Sequence, residues 1–373
     1  MKKQENITAC RKKTSIGGQA LMEGIMMRGP KRTAMAVRNT KGEIVIEEFE
    51  NKMAKRPKFC RWPVIRGLFG YIDSMTLGYK CLMRSAELSG LEDLVEESPR
   101  KKKKRLEREA KLAAERGENA SAEEPIAQAE MATEEKTEED KKKDDEKVPA
   151  WVVTLMMVFS FVLAFGLAIG LFMFLPTFLY QWLAEALPFL KTDNLALNSL
   201  IKSVFEGVLK IFLLVGYMAA ITLMKDIRRT FMYHGAEHKT IFCYEAGLEL
   251  TVENVKKQRR FHPRCGTSFL ILMLLVSIFI SFFIDPISIA ISGDVLPTVW
   301  RVLVKLLLIP VIVGLGYELI KFAGRHDNAL TRIISAPGVW LQHITVFEPT
   351  DDMIECAIDA ISRVIPNDES DNW

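Results

Sequence analysis

The chain has 373 residues, 49% of them hydrophobic and 26% charged, with a net charge of +3 and a mean hydropathy of +0.09. That average conceals two opposite kinds of segment: residues 91–148 carry 14 basic and 19 acidic residues and no aromatic, whereas residues 148–184 contain no Asp, Glu, Lys or Arg. A bilayer crossing needs ~20 apolar residues, so a simple soluble enzyme is excluded, as are a collagen-like and a wholly disordered chain.

The near-balanced charge says nothing by itself about nucleic acid, but there is no basic stripe interleaved with aromatics of the kind that binds single strands, so no nucleic-acid partner is expected. Six widely spread cysteines without a CxxC pair do not form a disulfide framework. The first 14 residues are polar and do not read as a secretory signal peptide.

Residues 1–90 form an N-terminal part expected on the cytoplasmic side. Four glycines within residues 17–29 permit positive φ and close backbone approach. Glu23 and Arg28, set among them, either contact a polar ligand or belong to a bulged strand and its turns, with Met22, Met26 and Met27 filling core gaps. Residues 33–49 alternate in part around Asn39-Thr40-Lys41-Gly42, which predicts a β-hairpin. Residues 63–88 predict an amphipathic helix with Pro63 in its first turn, its apolar face turned to a core or to a membrane surface. Residues 91–147 are too charged and too poor in aromatics to bury a core, and read as a disordered linker.

Two hydrophobic hairpins follow, over residues 148–224 and 266–320. Spans at 151–175 and 266–284 are long and uncharged, the first expected to exit near Pro176. The second must start near Ser203 and carry Glu206 and Lys210; the fourth must include Arg301 and Lys305. These charges are expected in the first helical turns, their side chains snorkelling to headgroups. The loop at 225–265 holds nine Lys and Arg, the outer loops one and none. By the positive-inside rule this loop and both termini face the cytoplasm. Residues 321–373 close the chain with a segment at 338–346 that looks extended and a helix capped by Thr350. The expected fold is a polytopic α-helical membrane protein of about four transmembrane helices with a discontinuous α+β cytoplasmic domain.

The chemistry concentrates in the basic loop. If residues 227–246 are helical, His234 and His238 lie one turn apart on one face, a spacing that suits adjacent positions on a tetrahedral divalent metal, best zinc. Glu237 sits beside them as a general base that activates water, and Glu245 returns to the same face. His234-Gly235-Ala236-Glu237-His238 is the H-x-x-E-H order of the inverted zinc proteases, although nothing else of their pattern follows. Histidines at a membrane interface can equally bond headgroups or backbone. Further ligands are sought among His262, Cys265, Glu245 and Glu318, with His326 nearby. Cys265 could instead be a packed thiol, and Glu318 could pair with Lys321 one turn on.

The segments GGQALMEGIMMRGP (17–30), YHGAEHKTIFCYE (233–245), HPRCGTSF (262–269), GYELIKFAGRHDN (316–328) and PGVWLQHITVFEP (337–349) together resemble the YqhQ-like family of bacterial membrane proteins. That family is described as predicted metal-dependent enzymes, with no reaction attached. The resemblance implies a bacterial cytoplasmic membrane setting and moves Glu23 and Arg28 toward the lining of the histidine site.

Three functions are expected to compete. The first is a metal-dependent hydrolase working at the cytoplasmic membrane face, on a substrate the sequence does not name. The second is a scaffold or assembly factor with a structural metal or none. The third is a transporter using Glu206, Lys210, Arg301 and Lys305, disfavoured because these charges sit away from mid-membrane. Beyond the bilayer the sequence implies no particular partner or oligomeric state.

Overall fold

The computed structural model describes residues 13–51, 57, 60, 62–90, 150–190, 192–326 and 328–371; the charged linker predicted at 91–147 lies outside them. Four strands, β1 (Gly17–Leu21), β2 (Gly24–Arg28), β3 (Arg32–Arg38) and β4 (Ile44–Glu50), pair in order as an antiparallel meander. The hairpin expected at 33–49 is β3–β4, with Arg38 opposite Ile44. The glycine-methionine segment supplies the other two strands, Gly18 opposite Met27 and Gln19 opposite Met26.

Strand side chains point alternately to opposite faces, and here both faces are covered. Ile25, Met27, Ala34 and Ala36 pack with α5 (Lys225–Glu245) and α11 (Asp351–Ser362). Met26, Met35 and Val37 face the other way onto Cys81, Leu77 and Leu82 of α1 (Ile65–Leu88). The run of methionines and alanines thus serves two cores at once, which is why it shows no simple alternation of apolar and polar residues. Thr350 occupies the N-cap position of α11, but its side chain makes no capping bond.

The helix α2 (Ala150–Ile169) continues through a π-turn (Gly170–Phe174) into α3 (Leu175–Ala186). The helix does not end at Pro176: the proline falls in the first turn of α3, where a missing N–H is tolerated. α4 (Leu195–Ile221) begins eight residues before Ser203, capped by Asn194, whose side chain accepts from the N–H groups of Ala196 and Leu197. A short α6 (Val252–Lys256) lies in the basic loop. α7 (Gly266–Ser292) is straightforwardly apolar, while α8 (Thr298–Leu307) and α9 (Ile309–Arg325) form a pair bent by 48°.

Three described helices are long and apolar enough to cross a membrane, Val158–Ala186, Leu195–Ile221 and Gly266–Ser292, or four if the bent pair makes one span. Phe212, Phe279, Phe283 and Ile291 on α4 and α7 stand exposed, an apolar surface that water does not favour.

Two expectations are overturned. Residues 338–346 are not extended: α10 (Ala329–Thr345) runs through them, opened by a capping box between Asn328 and Thr331. Pro337-Gly338 looks like a breaker, yet Gly338 is where α10 crosses α7, a Cβ there falling 2.6 Å from the Ser268 side chain. Nor do Glu206, Lys210, Arg301 and Lys305 snorkel; all four are buried against one another and neighbouring helices.

Candidate metal centre

His234 and His238 lie on one face of α5, ring centroids 4.3 Å apart, and Cys265 caps the start of α7 beside them. The ligand atoms of the three residues lie within 4.8 Å of one another. Each imidazole is oriented from behind by a carbonyl: His234 Nδ1 lies 3.1 Å from the Thr345 oxygen and His238 Nδ1 2.6 Å from the Arg260 oxygen. A carbonyl only accepts, so Nδ1 carries a proton in both rings and Nε2 is the nitrogen left for the centre. His238 Nε2 is buried and has no hydrogen-bond partner, the state expected of a nitrogen kept for a metal.

Cys265 is held from several sides. Its Sγ receives the Gln342 amide at 3.0 Å and the Ser268 backbone N–H at 3.4 Å. Gln342 in turn bonds both main-chain groups of His262 and the Ser268 hydroxyl, so one buried amide ties α10 to the start of α7. Burial opposes ionisation of the Cys265 thiol, but the neighbouring His234 and His238 rings prevail and hold it well below its usual range. The thiolate is the ligand form of cysteine. Burial likewise disfavours a charged His234, yet Cys265 and Glu237 raise it to about 9, while burial and the neighbouring His234 push His238 down.

Glu237 is buried on the same helix, and burial pushes its carboxyl up to about 7 against the pull of His234. Its Oε1 accepts the Gly18 N–H at 3.0 Å. Only glycine fits at position 18 of β1, because a Cβ would fall 2.9 Å from the Glu237 carboxyl carbon and 2.7 Å from the Met26 oxygen. This is what the glycine-methionine segment brings to the centre. Glu23, at φ 51 in the β1–β2 turn, binds Arg229 and approaches the Tyr233 hydroxyl. Arg28 donates to Ser74 at 3.1 Å on the surface.

The other sequence candidates divide. His262 is buried 5.5 Å from His238, ring to ring, but its Nδ1 accepts the Arg264 N–H at 3.2 Å. Its Nε2 faces Glu245 at 3.9 Å, and it is not among the three residues whose ligand atoms converge. Glu245 also accepts from the Thr14 N–H at 2.9 Å and pairs with Arg264. Against its burial, His262, Arg264 and Thr14 hold this carboxyl at about 2. These two residues buttress the centre from behind His238. Glu318 is paired with Arg66 of α1, its Oε1 2.6 Å from Nε, and His326 is exposed with Nδ1 on the Phe322 oxygen. Neither joins the three donors.

Two imidazole nitrogens and a thiolate suit a borderline-soft divalent ion, and three protein donors leave one position of a tetrahedron for another group. The orphaned His238 nitrogen and the low-lying thiol are the two features of the chain that fit such an ion. Sequence reasoning found the histidine pair from its helical spacing. It could not find Gln342, Gly18 or the Thr345 and Arg260 carbonyls, since side-chain spacing carries no signal for main-chain donors and acceptors.

The family model described as "Protein of unknown function (DUF1385)" matches residues 62–367. The "Uncharacterized protein YqhQ" of Bacillus subtilis (strain 168) is 29% identical over 357 residues, spanning 94% of this chain and 92% of the relative. No solved structure matches the chain significantly.

Proposed function

The chain belongs to the DUF1385 family of proteins of unknown function, and from that premise we propose that it is a multi-pass membrane hydrolase dependent on a divalent metal, zinc in class. The observation that carries this reading is the convergence of two tautomer-fixed imidazoles and a thiol beside a buried carboxyl that titrates near neutrality. A bound ion of this class supplies Lewis acidity and makes water a stronger acid. His234, His238 and Cys265 hold it. Glu237 takes the proton from attacking water and returns it to the leaving group, its Oε1 kept in place by the Gly18 N–H.

The bias of Lys and Arg toward the loop at 225–265 supports a cytoplasmic site and cytoplasmic termini in a bacterial inner membrane. The centre is fixed to the first residue before a candidate span. A substrate that is itself lipid-linked or seated in the membrane would reach it there.

The test is elemental analysis of purified protein beside a His234→Ala/His238→Ala variant. About one metal per chain, lost in the variant, is expected for a three-donor site; no metal in either after zinc is restored overturns the reading. The near-complete burial of His238, Cys265 and Glu237 favours one rival, a scaffold or assembly role with a closed structural metal. Spectroscopy of the cobalt-substituted protein separates the two, since only an open site binds added anions at the metal.

A further inference from the structure

α10 touches the metal centre with one face only. That inner face supplies the Gln342 amide that holds Cys265 and the Thr345 carbonyl that orients His234. Leu341 packs on the same side with Leu214 and Met218 of α4 and Ile271 of α7. The opposite face holds Leu330, Ile333 and Trp340, which fall in one stripe at helical spacing and are 55%, 70% and 59% exposed. The helix has no carboxylate and a single full charge, Arg332. Water does not favour so apolar a face.

Position decides what covers the stripe. Gly338 crosses α7 at Ser268, two residues into a candidate span. Met218 and Leu214 lie three and seven residues before the end of α4, and Ile271 five residues after the start of α7. At the rise of a helix the contacts of Leu341 are therefore about 5–10 Å inside the two candidate spans, the depth at which interfacial helices lie. Both ends of α10 return to the side of the centre. Thr345 stands beside His234. Ala329 follows the end of α9, where the Gly324 carbonyl accepts from Lys13, the neighbour of the Thr14 that bonds Glu245. A helix of 17 residues with both ends on one side lies along a bilayer and does not cross it.

We infer that the outer face of α10 is a docking surface for phospholipid acyl chains. The helix lies in the plane of the leaflet that borders the metal centre, with Leu330, Ile333 and Trp340 among the chains. Hydrocarbon is what surrounds a span at that depth, and the exposed apolar surface of α4 and α7, Phe212 and Phe279 among it, belongs to the same helices that α10 abuts. An indole suits the position, since its ring is apolar and its N–H reaches toward headgroup water. The inference rests on α4 and α7 being spans and not on the metal. One helix thus meets lipid with one side and steadies a metal-ligand candidate with the other.

The test places the photoreactive residue p-benzoylphenylalanine, one position at a time, at Ile333, Trp340, Phe279 and Lys41 of the full chain in phosphatidylcholine nanodiscs. Phe279 is exposed on the candidate span α7, and Lys41 is exposed in the polar β3–β4 turn. All four side chains are exposed, so the substitutions disturb no buried packing. Illumination followed by intact-mass measurement should add the mass of one phospholipid at 333, 340 and 279 and none at 41. Lipid at 279 with none at 333 and 340, or covalent chain dimers at those two positions in its place, overturns the docking surface while the spans stand. An equal yield of lipid at 41 also overturns it. No lipid at any position overturns the spans and the surface together.

Discussion

Gly18 and Glu237 stand 219 positions apart in the chain, yet the N–H of one donates to the carboxylate of the other at 3.0 Å, with no room for a Cβ between them. A strand of the N-terminal meander and the histidine helix are therefore parts of one site.

Gly18→Ala should force the strand and the helix apart. The added methyl meets the Met26 carbonyl and the Met27 sulfur as well as Glu237, so overpacking is expected to cost about 1–3 kcal/mol. Thermal unfolding should show that loss while metal content stays near the wild-type value, because all three donors lie elsewhere.

Glu237→Gln should keep the metal and lose hydrolysis, since an amide still accepts from Gly18 but takes no proton. Burial raises this carboxyl to about 7 in the folded chain, so the metal-free protein should lose stability as pH climbs from the ordinary carboxylate range to about 7. The Gln variant should lack that decline in pH-dependent melting curves. Equal loss of metal and activity would contradict the base assignment.

Glu245 predicts the opposite slope. Its folded value of about 2 lies below the unfolded value of 4.5, so its contribution is complete above 4.5 and disappears as pH falls toward 2. The effect is on the order of 3 kcal/mol. Unfolding between pH 6 and 3 should be steeper for wild type than for Glu245→Gln, which starts less stable and changes less.

Gln342→Leu leaves every donor intact and removes the amide that holds Cys265 and His262. Groups that orient ligands from behind typically matter by about 10–100-fold in metal affinity, and competition with a chromophoric chelator should read a loss in that range. Unchanged affinity would mean that the cysteine is positioned by its backbone alone.

Cobalt substitution reports on the thiolate. The wild-type protein should show a sulfur-to-cobalt charge-transfer band in the near ultraviolet, and Cys265→Ser should lack it while keeping weaker d–d bands from the histidines. A band that survives the substitution would exclude Cys265 as a ligand.

Local order was largely legible in the sequence. The spacing of His234 and His238, the β3–β4 hairpin and the apolar runs each depend on near neighbours, so period and turn chemistry reveal them. What the sequence hid depends on distant partners. Glu318 resembled an intramembrane ligand, but Arg66, 252 positions earlier, satisfies it. Pro337-Gly338 resembled a helix end because local propensity cannot register that α7 demands a small residue at the crossing. The charges of α4 and α8 resembled headgroup contacts because each helix, read alone, has no visible counter-charge; only side by side do they pair. His262 lies in the same neighbourhood, but its ring nitrogens face Arg264 and Glu245, partners that helical spacing does not reveal.

Cys265 is the N-cap of α7, its sulfur accepting from the Ser268 N–H. A helix of 27 residues ends there with its peptide dipoles aligned, and their positive pole falls on the thiol. In water such a pole is screened within a turn, whereas hydrocarbon, with which the apolar α7 is compatible, would screen it little. The helix therefore acts on Cys265 as a fixed source of potential that favours the thiolate.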